Sequence, residues 1–365
     1  MLSTREMTTP STINPLWHQL ITEVLPAKQR LMLSITEAED AYIWSTVTAK
    51  LRSGPTRQLE IALAPQTARI SPPSESQEGI IWASLIKDRV QSCLKVWIPC
   101  LLKLHQRVRC DYSLTLSFCD LGAWEPGILS MDSANRDALI PDLYAMLAAR
   151  HPVDVGIQSF GKPLPFPKFL SRWSKRIPKV FWRGATTGLL PEGLIADVSQ
   201  LADNPRVKLC LKQRQASNSD MKISRVDWMD PSFTVHAEAW LQQEGILVPP
   251  VPESTFGKYL YYPDLPGCAL AWGTIFKHLR GCLVFRAPQD RSLYYYRLMH
   301  PGQHYVEVQP DFSDLDSAVL WAENHPEQAA WMAWCGHRVA HRYLRQIGNH
   351  FCDAAMPHIQ PLLTS

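Results

Sequence analysis

The sequence predicts an α/β protein built as two doubly wound domains. Three patterns carry that prediction. Helical and strand-like apolar spacings alternate through both halves of the chain, the stretch Gly267–Arg286 reads as loop, helix and strand in succession, and Asp111–Cys119 alternates apolar and polar residues up to an aspartate, Asp120. A chain of 365 residues is long enough for two domains that each bury a core.

Taken in order, Ile13–Arg52 has helical spacing at Leu16, Leu20, Ile21 and Leu25, then at Ala41, Ile43, Trp44 and Val47, with Pro26 between the two stretches. Gln58–Ala64 alternates as a short strand, and Pro65–Gly79, rich in Pro, Ser and Gln, reads as a surface loop. Ile80–Arg107 holds amphipathic helix, and Tyr112, Leu114, Leu116 and Phe118 mark the strand that ends at Asp120. Leu129–Asp137 and Val153–Phe160 read as strand-and-turn units. Lys162–Lys168 carries prolines at alternate positions, which favours an extended connector and sets the expected domain boundary.

In the second half, Val180–Gly188 is an apolar strand opening into a glycine turn, Pro191–Leu201 reads as helix and Val207–Leu211 as strand. Asp220–Glu244 is polar with helical pieces, and Val248–Glu253 is a proline-stiffened link. Within Gly267–Arg286 the helix runs from Ala271 to Leu279, Gly281 stops it, and Cys282–Arg286 forms a buried strand. Leu293–Met299 then reads as helix and Tyr305–Val308 as strand. Ser313-Asp314-Leu315-Asp316 caps a helix to Asn324, and helix continues to Ile347. The expected domains are 1–165, 166–340 and a helical tail, 341–365, packed back on the first.

The net charge of +3 is too small for a general nucleic-acid binder, but between Gly161 and Pro191 there are seven Lys and Arg and no Asp or Glu. Nine cysteines without pairing rhythm or a Cys-x-x-Cys read as reduced thiols. The first ten residues lack the apolar core of a secretion signal, and the most apolar run, Cys93–His105, is interrupted by Lys95 and Lys103. These features place the expected location in the cytoplasm. A peripheral membrane contact through Lys168, Arg172, Lys175 and Arg176 stands beside the plainer reading of a solvated basic face.

The small-residue loop before the Ala271 helix lets an anion approach free N–H groups at the helix start, with Lys277, His278 and Arg280 adding positive charge. That suits a diphosphate. Asp120, at the carboxyl end of a strand, lies where α/β folds place ligands; a turn-starting carboxylate is the competing reading, and Asp111, Asp132, Asp137 and Asp154 are rivals. His304 and Tyr305 read as packing residues at a strand start. His337 and His341 share a helix face, but no Glu follows His337 and the zinc-protease pattern fails. Asp314 and Asp316 imitate a metal-binding Asp-x-Asp at a position that makes them a helix cap.

Several short words then occur in order: Phe181-Trp-Arg-Gly184 with Thr187-Gly188, Lys258-Tyr259-Leu260, Phe276-Lys277-His278-Leu279, Gly281-Cys-Leu-Val-Phe285, Tyr294-Tyr-Tyr296, His304-Tyr305-Val306 and Asp311-Phe-Ser-Asp314-Leu315. In these words, over roughly residues 180–345, the chain resembles glycosyltransferase family 90, which includes capsule-associated, lipopolysaccharide core and protein O-glucosyltransferases. The resemblance implies a GT-B architecture, two facing α/β domains with a cleft between them, the C-terminal one holding a nucleotide sugar, expected to be UDP-linked. It implies an inverting reaction with no metal or other cofactor, and a glycan acceptor, with a lipid-linked lipopolysaccharide or capsule precursor among the candidates, and no nucleic-acid partner.

On matching positions, Arg183 resembles the arginine that contacts the donor phosphates, with Gly184 beside it, and Asp120 resembles the general base. Lys258, Gly273, Thr274, Lys277 and Asp290 complete the expected donor-binding set. The chain departs from the family at Ile275, where an arginine is usual, so that its diphosphate contact would fall to Lys258, Lys277 or Arg286, and at Leu189-Leu190-Pro191-Glu192, which replaces charged residues. A non-catalytic glycan- or partner-binding module on the same fold is the alternative reading.

Overall fold

The computed structural model describes residues 31–36, 44–52, 57–65, 77–108, 110–118, 128–155, 157, 161–187, 198–226, 231–267 and 269–362. By contact the chain divides into two compact units. The first comprises Met1–Cys119, Ala123–Ser130 and Gly348–Ser365, and the second Asp120–Gly122 and Met131–Ile347.

In the first unit the strands are Leu31–Thr36 (β1), Trp44–Arg52 (β2), Arg57–Pro65 (β3), Tyr112–Ser117 (β4) and, from the tail, Gln360–Pro361 (β12). They form one sheet in the order β1-β3-β2-β4-β12, parallel between β1 and β3 and antiparallel elsewhere. The helical spacing expected across Ile13–Arg52 gives way to strands where the chain is described. In β2 the alternation through Ala49 and Leu51, both fully buried, outweighs the helical count, and a run of Thr and Val fits a pleated surface.

The 31-residue helix Gln77–Arg107 (α1) covers this sheet with Val90, Leu94, Trp97 and Leu101 buried, and Trp97 stacks on Phe118 at 5.1 Å. The tail helix Ile347–Ala355 (α10) is tied to it by Arg107, which donates to Asp353 (2.6 Å) and Asn349 (2.7 Å).

The second unit is built on five strands: Ile177–Ala185 (β6), Ser219–Arg225 (β7), Tyr259–Pro263 (β8), Leu283–Arg286 (β9) and Val306–Glu307 (β11). Every pairing in this sheet is parallel, in the order β11-β9-β8-β6-β7. Numbered from the unit's own first strand, that is the doubly wound order 2-1-3-4-5, so the α/β class read from the sequence holds. A separate two-stranded ribbon pairs Asp132–Ser133 (β5) with Ser292–Leu293 (β10).

The helices of this unit are Leu143–Arg150 (α2), Phe166–Trp173 (α3), Val198–Asp203 (α4), Pro205–Gln213 (α5), Pro231–Gln243 (α6), Thr274–Arg280 (α7), Leu315–Asn324 (α8) and Pro326–Arg345 (α9). Val207–Leu211, expected as a strand, lies inside α5. Its apolar run is short enough to suit either element; Asn204 decides it by capping the backbone N–H groups of Arg206 and Val207, with Pro205 at the first helical position. The strand-and-turn unit expected over Val153–Phe160 starts as a 3-10 turn, Pro152–Val155, and the helix expected over Leu293–Met299 is a 3-10 turn at Tyr294–Leu298.

The proline run Lys162–Lys168 lies within the second unit instead of at its border. It leads into α3, and there Phe166 meets Trp331 (4.9 Å) and Trp334 (5.5 Å) of α9, so the stiff segment docks on its own unit. Among the described residues no helix is long and apolar enough to cross a membrane.

Candidate functional site

In a doubly wound sheet the chain leaves the first strand toward one edge and returns to begin the other half, so the loops after the two central strands diverge and leave a crevice at the carboxyl ends. Here those strands are β6 and β8, and the diverging loops are Thr186–Thr187 and Asp264–Gly267. Arg206, in the first turn of α5, spans both. Its Nη1 donates to the Ala185 carbonyl (3.1 Å) and the Thr187 hydroxyl, its Nε to the Pro266 carbonyl (2.9 Å), and its Nη2 to the Leu265 carbonyl (2.8 Å). The guanidinium lies 5.5 Å from the centre of the Trp182 ring. The α5 cap joins the same network, because Asn204 Nδ2 donates to the Thr186 carbonyl (2.9 Å).

Two glycines permit this closeness. A Cβ on Gly184 would come within 2.4 Å of the Trp182 ring, and one on Gly267 within 2.6 Å of the Thr187 hydroxyl and 3.0 Å of Arg206 Nη2.

Beside this crevice, Asp264 follows β8 with 3 % of its surface exposed. It accepts a hydrogen bond from the Thr274 hydroxyl (2.6 Å) at the start of α7 and one from the Tyr296 hydroxyl (3.2 Å). Burial pushes its carboxyl above the ordinary aspartate value, against the Thr274 bond, the Arg286 charge and the Tyr296 bond. Arg286, the last residue of β9, is 7 % exposed and lies between the rings of Tyr305 (3.8 Å) and Tyr296 (4.0 Å). Its Nη1 has no hydrogen-bond partner among the described residues. A buried guanidinium with an open donor, a second one bracing the loops, a carboxyl and three hydroxyls therefore gather at the edge where such sheets bind ligands. The set suits an anion carried on a polar, hydroxylated body.

The expected donor-binding residues distribute unevenly over this geometry. Thr274 joins the cluster, Gly273 is the residue before it at the start of α7, and Gly184 lies at the carboxyl end of β6. Asp290 is exposed in the turn after β9. Arg183 is engaged elsewhere. Its Nη2 forms an ion pair with Asp220 (2.7 Å), its Nη1 donates to the carbonyls of Asp220 and Trp182, and the group rests 4.3 Å above Phe181, so it folds back along the strand.

Lys277 is likewise paired, with Glu253 at 2.6 Å and the Phe256 ring at 3.9 Å. Lys258 is exposed where β8 begins, at the opposite end of that strand from the crevice. Ile275 is fully buried. Asp120 lies outside the described residues. Among its rivals, Asp132 is buried and paired with Arg291 (2.8 Å), and Asp137 and Asp154 sit exposed in 3-10 turns.

His304 and Tyr305 are both buried, and Tyr305 proves to be one wall of the Arg286 slot. The rings of His337 and His341 are 4.4 Å apart, and among the described residues no three His, Cys, Asp or Glu are grouped to hold a metal ion.

Reading by sequence missed Arg206 and Asp264 as site residues, and named Arg286 only as one of three stand-ins, with Lys258 and Lys277, for the arginine replaced by Ile275. The Asn204-Pro205 pair is a helix-start signal that would have moved Arg206 from a strand approach to a helix N-terminus beside the sheet edge. Asp264 and Arg286 each end a buried apolar run, which is the position that singled out Asp120.

Residues 168–347 match the sequence model of Glycosyl transferase family 90. Over 172 residues the chain is 26% identical to Protein O-glucosyltransferase 2 of Danio rerio, an alignment spanning 47% of this chain and 30% of that protein. It is 29% identical over 90 residues to Protein O-glucosyltransferase 3 of Homo sapiens, spanning 25% of this chain and 18% of the other. The chain thus spans less than a third of the length of these relatives. Among solved structures, Anabaena HepE in complex with UDP-glucose aligns over 77% of this chain and 76% of its own with 11% identity and a TM-score of 0.38. The C-terminal domain of the Francisella tularensis glycosyl transferase group 1 family protein LpcC aligns over 47% of this chain and 89% of its own, with 10% identity and a TM-score of 0.30.

Proposed function

With residues 168–347 forming a glycosyl transferase family 90 segment, we propose that this chain is a glycosyltransferase whose second unit holds a nucleotide-sugar donor at the carboxyl edge of its parallel sheet. The observation that carries the proposal is the coincidence of that segment with a switch-point crevice holding Arg206, Asp264, Thr274 and Arg286.

The donor in this reading is a UDP-sugar and the acceptor a hydroxyl of a bacterial surface glycan, such as lipopolysaccharide or capsule. The reaction inverts the anomeric centre. The acceptor oxygen attacks the anomeric carbon as its proton passes to a carboxylate, and the bond from that carbon to the diphosphate oxygen breaks with its electron pair leaving on the phosphate. Asp120 is the carboxylate by resemblance. Negative charge grows on the departing diphosphate. Arg286, held between two aromatic rings with a donor to spare, is placed to bind it, and low local polarity strengthens that interaction. Arg206 holds the two loops that shape the crevice, and Asp264 orients the Thr274 and Tyr296 hydroxyls. No metal takes part in this scheme.

Calorimetry with UDP in the presence of EDTA tests the donor site. Binding that falls about tenfold or more in Arg286→Ala, the scale of one charged hydrogen bond, supports the proposal. UDP binding that is absent, or unchanged in both Arg286→Ala and Arg206→Ala, overturns it. For the chemical step, Asp120→Asn is expected to cut sugar transfer by ~100-fold or more while UDP affinity persists.

One observation favours a second reading, a non-catalytic module on the same fold. Ile275 stands where the family has an arginine, and Arg183 and Lys277 are already paired with Asp220 and Glu253. Glycan binding without any UDP binding distinguishes it.

A further inference from the structure

We propose that the exposed side of α9, from its first turns to Arg345, is a binding surface for an anionic saccharide. Its first half is aromatic. Trp331 is 49% exposed, and its ring centre lies 4.8 Å from that of Trp334 and 4.9 Å from that of Phe166, which meets it edge-on. The platform is held in place, because Trp334 Nε1 donates to the Leu164 carbonyl at 2.7 Å. Trp321, Trp331 and Phe166, with Glu327 and Gln328, line a recess of about 430 Å³. Flat rings beside a carboxylate and an amide are the partners that a sugar asks for: its C–H faces stack on the rings and its hydroxyls bond to the polar pair.

The second half of the surface is cationic. Arg338, Arg342 and Arg345 follow at spacings of four and three, hence on one side of the helix, and line a second recess of about 280 Å³ with Pro163 and Gln346. Among the described residues none of these three arginines forms an ion pair. Arg338 connects the two halves, its guanidinium lying 4.8 Å from the Trp334 ring. Three unneutralised guanidinium forks spread over about three turns beyond an aromatic platform fit a saccharide that carries phosphate, sulfate or carboxylate groups.

The surface favours a saccharide over an anionic membrane. Its cations line a recess instead of a flat face, and the flat rings of Trp331 and Phe166 beside them offer stacking that a sugar ring uses and a lipid headgroup layer does not. The buried face of the same helix is linked to the candidate site through a series of rings. Tyr343, next to Arg342, packs against Tyr295 (5.7 Å), and Tyr295 meets Tyr296 (4.9 Å), whose hydroxyl reaches Asp264. That the saccharide is the acceptor rests on the glycosyltransferase reading; that it binds here does not.

The test is titration of the full chain with a heparin octasaccharide as the anionic probe, maltooctaose as the neutral one, and vesicles of phosphatidylglycerol and phosphatidylcholine. The variants are Trp331→Ala and the double change Arg342→Ala with Arg345→Ala, all at exposed positions. Octasaccharide binding is expected to weaken about tenfold in each variant, and more steeply with salt in the wild type than in the double variant. Maltooctaose is expected to bind more weakly and to respond to Trp331→Ala alone. Octasaccharide affinity that ignores both variants overturns the proposal, as does vesicle binding lost in the arginine variant while the octasaccharide stays silent. UDP affinity measured alongside separates the two readings: a chain that binds the octasaccharide through these residues and does not bind UDP supports this surface and sinks the donor site.

Discussion

A charged side chain contributes to a ligand site only with the donors that the fold leaves open. Arg183 and Lys277 sit in the words that match the family, yet each meets an acid, Asp220 or Glu253, in the folded chain, and the one Arg183 nitrogen without a hydrogen-bond partner among the described residues is Nε, the one nearest its own strand. Arg286 has an open donor between two rings and Arg206 a bracing role; the sequence offered Arg286 only as one of three stand-ins and did not single out Arg206, because burial and partners are properties of the packed unit. The closeness around Arg206 makes Gly267 a sensitive position. Gly267→Ala puts a Cβ within 2.6 Å of the Thr187 hydroxyl and is expected to cost about 1–3 kcal/mol, measured by urea unfolding, and to weaken UDP binding. Wild-type stability and UDP affinity in that variant would remove Arg206 as the brace.

At the scale of elements, local signals were legible where a cap or stop is encoded in one or two residues. Gly281 ends α7 in the left-handed conformation (φ 76°), as its position after Leu279 and Arg280 predicts, and β4 alternates as read. Gly281→Ala is expected to lower stability beyond the ordinary helix-end penalty of about 1 kcal/mol, since the new methyl also meets the Phe169 ring at 2.6 Å; a melting temperature within a degree of the wild type would refute this. Signals failed where an apolar run was short. Val207–Leu211 suits strand or helix by hydrophobicity, and the Asn204 cap selects helix. Asn204→Ala is expected to cost about 1 kcal/mol and to free the Thr186 carbonyl, so a loss of stability accompanied by weaker UDP binding is the outcome to look for.

At the scale of the molecule, buried titratable groups set how the second unit responds to pH. His278 is fully buried, neither ring nitrogen has a hydrogen-bond partner among the described residues, and burial, followed by the charges of Arg286, His304 and His337, lowers its pKa to about 3. His341 is lowered to about 3 by burial and by His337 and Arg345. A lowered histidine makes the unfolded chain the better proton acceptor, so its contribution is intact above the unfolded value of 6.5 and is lost as pH falls from there toward 3. For His278 the loss at pH 5 is about 2 kcal/mol, from 1.36 kcal/mol for each unit below 6.5.

Asp142, which caps α2, acts in the opposite direction. Burial raises its pKa to about 7, so its contribution is full below the unfolded value of 3.8 and is lost as pH rises through 7. The two trends offset each other in the wild type between pH 5 and 6.5. Asp142→Asn keeps a cap oxygen and removes the carboxyl, so its melting temperature is expected to fall on acidification from pH 6.5 to 5 more steeply than that of the wild type; parallel profiles would overturn the assignment. By itself the sequence determined the α/β class, the strand before Asp120, the loop, helix and strand of Gly267–Arg286 and the match of residues 168–347 to glycosyl transferase family 90, because periodicity, caps and short words are written in neighbouring residues. Only the tertiary structure decided that β6 and β8 flank the crevice, that Arg183 and Lys277 are already paired, and that Arg206, Asp264 and Arg286 meet there, because strand order and the company each charge keeps arise from contacts between residues far apart in the chain.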